Sequence, residues 1–175
     1  MLPKLIEIGD FFIPTYGLLV ALGFLAGLWI AGKLAQSRGM TPQLITDLGI
    51  YVALAGLLGA KLTMLIYDLP YFLRHPSEIF SMATLQAGGV FHGGLILALI
   101  VAVWYVRKRN LQFLPVADVF APGIALGHAI GRLGCFAAGC CWGAVCDRPW
   151  AVTFTNPDAH ELVGVPLNVP LHPSQ

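Results

Sequence analysis

The chain of 175 residues is 57% hydrophobic and 11% charged, where a soluble domain carries about 25% charge, and its mean hydropathy is +0.76. These values exclude an ordinary soluble domain and predict an all-α polytopic membrane protein. The formal net charge of +1 excludes the basic field that a nucleic-acid partner would need.

Met1 to Asp10 carries one Lys and two acids ahead of the first apolar run, with no small-residue cleavage motif, so no removable signal peptide is expected. The first predicted span covers about 14–34, with Tyr16 near its start and Trp29 and Lys33 at its far end. Within it, Gly23-x-x-x-Gly27 offers a small face for a neighbouring helix. Thr41-Pro42 reads as an N-cap followed by a first-turn proline, opening a second span at about 44–67 that carries Gly56, Gly59 and Lys61.

Residues 68–87 break the helical pattern with two prolines and interleave aromatics with charges, which predicts an interfacial segment lying along the bilayer. A third span at 89–106 begins with Gly88-Gly-Val-Phe-His92-Gly-Gly-Leu95 and ends before Arg107-Lys108-Arg109. The fourth, at 113–139, holds Asp118, Pro122 and the series Gly123, Gly127, Gly131 on one face, where another helix should pack closely. Residues 144–175 hold five prolines and read as an outer-side loop without a span, so 1–175 is one membrane domain. The basic triplet and the Lys33/Arg38 loop mark the cytoplasmic side, which places the N-terminus outside.

Arg132 is set in an apolar run of glycine, alanine and cysteine. Burying a guanidinium at the centre of a membrane helix costs about 3 kcal/mol on insertion scales, so such a residue marks a functional site. Its planar fork of donors suits a phosphate or carboxylate. Counting about 1.5 Å per residue from the cytoplasmic ends puts Arg132 about 28 Å up, Lys61 about 25 Å and His92 about 22 Å, with Tyr16 near the outer end of its helix. Asp118 lies near the inner end and stands apart.

Taken singly, each has a plain structural reading: Tyr16 as an interfacial anchor, Lys61 snorkelling, His92 as a packing residue. Their common depth favours a site at the outer leaflet, where a neutral imidazole accepts a proton and a guanidinium neutralises a phosphate leaving group. A transporter would instead spread its polar residues over many depths.

Tyr16-Gly17, Phe91-His-Gly-Gly-Leu95, Gly131-Arg-Leu-Gly134, Phe136, Trp142-Gly143 and His172-Pro-Ser-Gln175 together resemble the prolipoprotein diacylglyceryl transferase family, in order and spacing along nearly the whole chain. The resemblance implies a multi-pass enzyme of the bacterial inner membrane, with its active site facing the outer leaflet. Its partners would be phosphatidylglycerol and a prolipoprotein signal peptide with a lipobox cysteine, and the diacylglyceryl group would pass to that thiol as a thioether. It also implies catalytic roles for His92, Arg132 and Tyr16, and substrate binding by Arg132, Lys61, Cys135 and Gly143. Lys61 stands where the family typically has Arg, Cys135 where it has Asn, and Cys140 where it has Glu. The family continues past His-Pro-Ser-Gln into further helices, so the chain reads as an N-terminal portion of a longer helical bundle.

All four cysteines fall in Cys135-x4-Cys140-Cys141-x4-Cys146. As residues they read as small packing groups, with a disulfide expected between Cys146 and Cys140 or Cys141 on the oxidising side. The spacing lacks Cys-x2-Cys, so no metal and no cofactor are expected. Cys135 lies one turn after Arg132, where a guanidinium could activate its thiol, whereas a continuing helix would carry Cys140 two turns away. The alternative function is a related membrane protein with a diverged lipid substrate, or with a thiol-redox role built on the four cysteines.

Overall fold

Four apolar stretches form helices long and apolar enough to cross a membrane: α1 (Thr15–Ser37), α2 (Pro42–Tyr67), α4 (Phe91–Lys108) and α5 (Phe113–Ala138). Each predicted span agrees with its helix to within a few residues. The structure, a computed structural model, describes residues 3–8, 11–81, 84 and 89–174. The expectation for Met1 to Asp10 therefore lies partly outside the described residues, as do 82–83 and 85–87 of the expected interfacial segment, Gly88 and Gln175. Large apolar side chains such as Leu57 (68% exposed) and Ile66 (69%) project outward from α2, as lipid-facing residues should.

The chain divides into two compact units, Met1–Ile30 with Phe120–Gln175, and Ala31–Val119. In the second, α2 and α4 approach through glycines. A Cβ on Gly94 would stand 2.7 Å from the Gly56 carbonyl oxygen, and one on Gly59 would stand 2.5 Å from that of Gly93. Backbones this close leave no room for a side chain, which is why the pair needs glycine. The Val90 N–H donates to the Ala60 carbonyl at 3.0 Å, fixing where α4 begins.

After α2, the short helix α3 (Leu69–Arg74) and a 3-10 turn (Pro76–Phe80) occupy part of the predicted interfacial segment, joined by the Tyr71 hydroxyl donating to Glu78 Oε2. Arg38 and Asp118, both exposed, pair at 3.6 Å. Lys108 lies over the Trp104 ring at 4.6 Å, a cation resting on an aromatic at a helix end.

In the first unit, β1 (Lys4–Ile8) and β2 (Phe11–Pro14) pair antiparallel just before α1. The α1–α5 contact is also made of glycine: a Cβ on Gly27 would stand 2.8 Å from the Gly123 carbonyl oxygen, and one on Gly23 would stand 2.9 Å from that of Gly127. A Cβ on Gly131, expected to continue this seam, would meet nothing within 4 Å among the described residues.

The predicted outer loop is a small folded layer. Strands β3 (Val152–Thr153) and β4 (Pro170–Leu171) pair antiparallel, and α6 (Pro157–Val163) is capped by Asn156, whose side chain accepts the Asp158 N–H. Phe154, Ala159, Val165 and Leu171 are buried together, with Trp142 and Val152 packed on them. The all-α reading therefore holds for the membrane helices, with two short strand pairs added.

Candidate functional site

The local fold at Arg132 is set by how α5 ends. Gly139 takes φ 77°, its N–H donates to the Phe136 carbonyl at 3.3 Å, and the Cys140 N–H donates to the Cys135 carbonyl at 3.0 Å. This is a Schellman motif, which stops a helix by turning the chain back at a left-handed glycine. The expected two-turn separation of Cys140 from Arg132 was counted on a continuing helix: the helix does not continue that far, and the turn returns Cys140 to Cys135. The Sγ atoms of Cys135, Cys140 and Cys141 lie within 4.8 Å of one another.

The expected disulfide from Cys146 is not formed, and none of the four cysteines is in a disulfide. The Cys146 N–H is held by the Pro170 carbonyl at 3.0 Å, which ties Cys146 to β4 while Cys140 turns toward α5. Burial, reinforced by the neighbouring Cys135 and Cys141 thiols, pushes the Cys140 thiol up to about 12. In the free protein it is a neutral thiol, not a thiolate nucleophile.

Arg132 is exposed on α5, and its Nε donates to His128 Nε2 at 3.3 Å, one turn earlier. That contact uses one of the guanidinium's five donors. It also makes His128 Nε2 an acceptor, so the neutral ring carries its proton on Nδ1. Tyr16 packs against the other side of this helix: a Cβ on Gly134 would stand 3.2 Å from its ring and 3.4 Å from its Cα. The Tyr16 hydroxyl is within electrostatic reach of Arg132 and of the Cys135, Cys140 and Cys141 thiols. The structure thus brings together Tyr16, Arg132 and Cys135, and adds His128, Cys140 and Cys141.

Gly143 belongs to the same unit for a backbone reason. Its N–H donates to the His172 carbonyl at 2.9 Å, and a Cβ there would collide with the Ser174 hydroxyl. Trp142-Gly143 and His172-Pro173-Ser174, far apart in sequence, are one packed element. Gly143 acts through that fit.

His92 and Lys61 belong to the other unit. His92 is exposed in the first turn of α4, its ring edge-on to Phe91 at 5.8 Å between centroids. Gly93 and Gly94, which follow it, are the residues α2 packs on, so the helix contact fixes the height of His92 on α4. The Lys61 ammonium donates to the Thr84 carbonyl at 2.6 Å, so it does not simply reach for the nearer surface.

The described residues can do two things chemically at α5. An exposed guanidinium can take an oxyanion, and three clustered thiols can take a soft cation. A family model described as prolipoprotein diacylglyceryl transferase matches residues 3–175. The chain is 38% identical over 176 residues to a protein of Aliivibrio fischeri, covering 99% of this chain and 60% of that one. It is 38% identical over 177 residues to one of Solidesulfovibrio magneticus (99% and 63%) and 34% identical over 175 residues to one of Clostridium tetani (100% and 67%). All three are named phosphatidylglycerol–prolipoprotein diacylglyceryl transferase. The chain spans roughly three fifths of the length of the first relatives it matches.

Proposed function

The chain belongs to the prolipoprotein diacylglyceryl transferase family, and from that premise we propose that its protein transfers the diacylglyceryl group of phosphatidylglycerol to the lipobox cysteine thiol of a prolipoprotein, releasing glycerol phosphate. The observation that carries this reading is Arg132: a guanidinium near the end of an apolar helix, with four of its donors not engaged by His128 and Tyr16 within electrostatic reach.

The reaction requires a thiol to lose its proton and a phosphate oxygen to leave with the bonding electrons. Arg132 holds the lipid phosphate through paired N–H donors and stabilises the charge that grows on the leaving oxygen. His92 takes the proton of the acceptor thiol as general base. Tyr16 orients the headgroup, Cys135 contacts the group that Arg132 holds, and Lys61 adds positive charge for the phospholipid. Gly143 keeps the segment after α5 close enough to border the site.

The protein is a multi-pass membrane protein of the bacterial inner membrane. Its N-terminus faces outward and the site opens to the outer leaflet, a reading supported by Arg107-Lys108-Arg109 at the end of α4 and Arg38 beyond α1. The test is rescue of a bacterium depleted of its transferase by the uninterrupted gene, paired with transfer of labelled diacylglyceryl from phosphatidylglycerol to a lipobox peptide. Growth and a thioether-linked peptide are expected. Absence of both in a well-folded, membrane-inserted protein overturns the reading.

A further inference from the structure

The three thiols at the end of α5 go beyond anything an anion site requires. Their sulfurs lie within 4.8 Å of one another, none is in a disulfide, and Cys146 is outside the group. Three sulfurs bound to one ion by bonds of about 2.3 Å would stand about 4 Å apart, so closing the cluster around a cation takes less than about 1 Å of adjustment.

The backbone is bent for this arrangement at two places. Gly139 is left-handed at φ 77°, which costs glycine nothing, but Cys141 is also left-handed at φ 61°, where a residue with a Cβ is disfavoured. Between them the two turns gather three thiols that a continuing helix would scatter. Cys135 is buried and Cys141 is exposed, so the cluster has a closed side and an open side.

We propose that Cys135, Cys140 and Cys141 bind one zinc ion as three thiolates and leave its fourth position open to an external thiol. Thiolates select thiophilic cations, and among the described residues the group offers three ligands, the number found in zinc sites that keep a place for substrate. Three thiolates and one divalent cation carry a net charge of −1. Arg132, one turn before Cys135 on the same face, offsets it.

The open position deepens the transfer reading, and this part rests on it. An acceptor thiol that binds there gives its proton to solvent or to a base, since a coordinated thiol is deprotonated outright. Its sulfur then forms the S–C bond to the glyceryl carbon. The C–O bond to phosphate breaks, the electron pair leaves with glycerol phosphate, and the zinc–sulfur bond opens, with no change in oxidation state.

The test is a titration of the reduced, chelator-stripped protein in detergent with Co(II) as the spectroscopic probe. One Co(II) per chain is expected, with thiolate charge-transfer bands that Zn(II) removes by displacement. Cys141→Ser changes an exposed thiol and should fold as wild type by thermal unfolding, while weakening Co(II) at least tenfold, as even outer-shell changes do at about 10–100-fold. Cys146→Ser should leave binding unchanged. A lipobox peptide should strengthen the charge-transfer band, and its Cys→Ser version should not.

Substoichiometric Co(II), bands that survive Cys141→Ser, or binding lost in Cys146→Ser overturns the zinc site. So does uptake of Cu(I) alone, or a disulfide that forms among the three thiols in preference to metal binding. A band indifferent to the peptide overturns the open position. Co(II) binding by the protein alone is read without any transfer assay, so failure of the transfer reading is visible separately.

Discussion

The α1–α5 pair and the α2–α4 pair are both joined through glycine, but the two sets of glycines relate differently to the polar residues beside them. In α1–α5 the close backbone contact lies at Gly23, Gly27, Gly123 and Gly127, and a Cβ on Gly131, next to Arg132, would meet nothing within 4 Å among the described residues. In α2–α4 the contact is made by the two residues that directly follow His92. A side chain would therefore find room at Gly131, beside Arg132, while the residues beside His92 are held by the packing itself. A glycine next to a functional residue in sequence can be either an opening or a clamp, and only the partner helix decides which.

The largest effect should come from forcing the clamp. Gly93→Val places a side chain on Thr63 and on the Gly59 carbonyl, and should cost about 3 kcal/mol or more by overpacking, seen as loss of folded protein in a detergent thermal melt. A melt unchanged from wild type would remove the distinction between the two pairs. Next is Arg132→Lys, which keeps the charge and loses the paired donors; transfer to a lipobox peptide should fall about 10²–10³-fold with an unaltered melt.

His92→Gln should lower turnover by about 10²-fold while phosphatidylglycerol binding persists. If binding falls in its place, His92 is a binding residue. The smallest effect is the sharpest contrast to Gly93. Gly131→Ala meets open space inside a helix and should leave the melt unchanged or raise it by up to about 1 kcal/mol, the ordinary gain of alanine over glycine.

The membrane helices were legible because each is an apolar run long enough to cross a bilayer, bounded by a cap, a proline or a basic cluster. The end of α5 was legible to within one residue, but a span boundary does not say where the chain goes next, and Phe136-Ala-Ala-Gly-Cys140 stays apolar through the turn. The available signal was Gly139 itself, placed where a left-handed residue closes a helix. Missing that turn hid the thiol cluster, and the oxidising side of the membrane says only that a disulfide can form, not which sulfurs the backbone brings together.

The core of Phe154, Ala159, Val165 and Leu171 was invisible for another reason. Its members come from a short strand, a seven-residue helix and loops, with no period to read. Lys61 illustrates the limit of arguing from depth alone. Height along a helix says nothing of a carbonyl 23 residues away that its ammonium meets. Of the four residues grouped by depth, Tyr16 lies against the part of α5 that carries Arg132, because Gly134 lets α1 approach α5 at that level.

The glycine seam between α1 and α5 has a mechanical consequence. Each carbonyl oxygen there sits 2.5–3.1 Å from where the Cβ of the opposing residue would be, and the helical flanks include Leu22, Phe24, Ile124 and Leu126. Sliding one helix by a single residue, about 1.5 Å, or turning it by one position would drive a branched or aromatic side chain into a backbone groove cut for hydrogen. The two helices are thus keyed like a lock bolt in its slot, and travel as one stiff lever along this stretch.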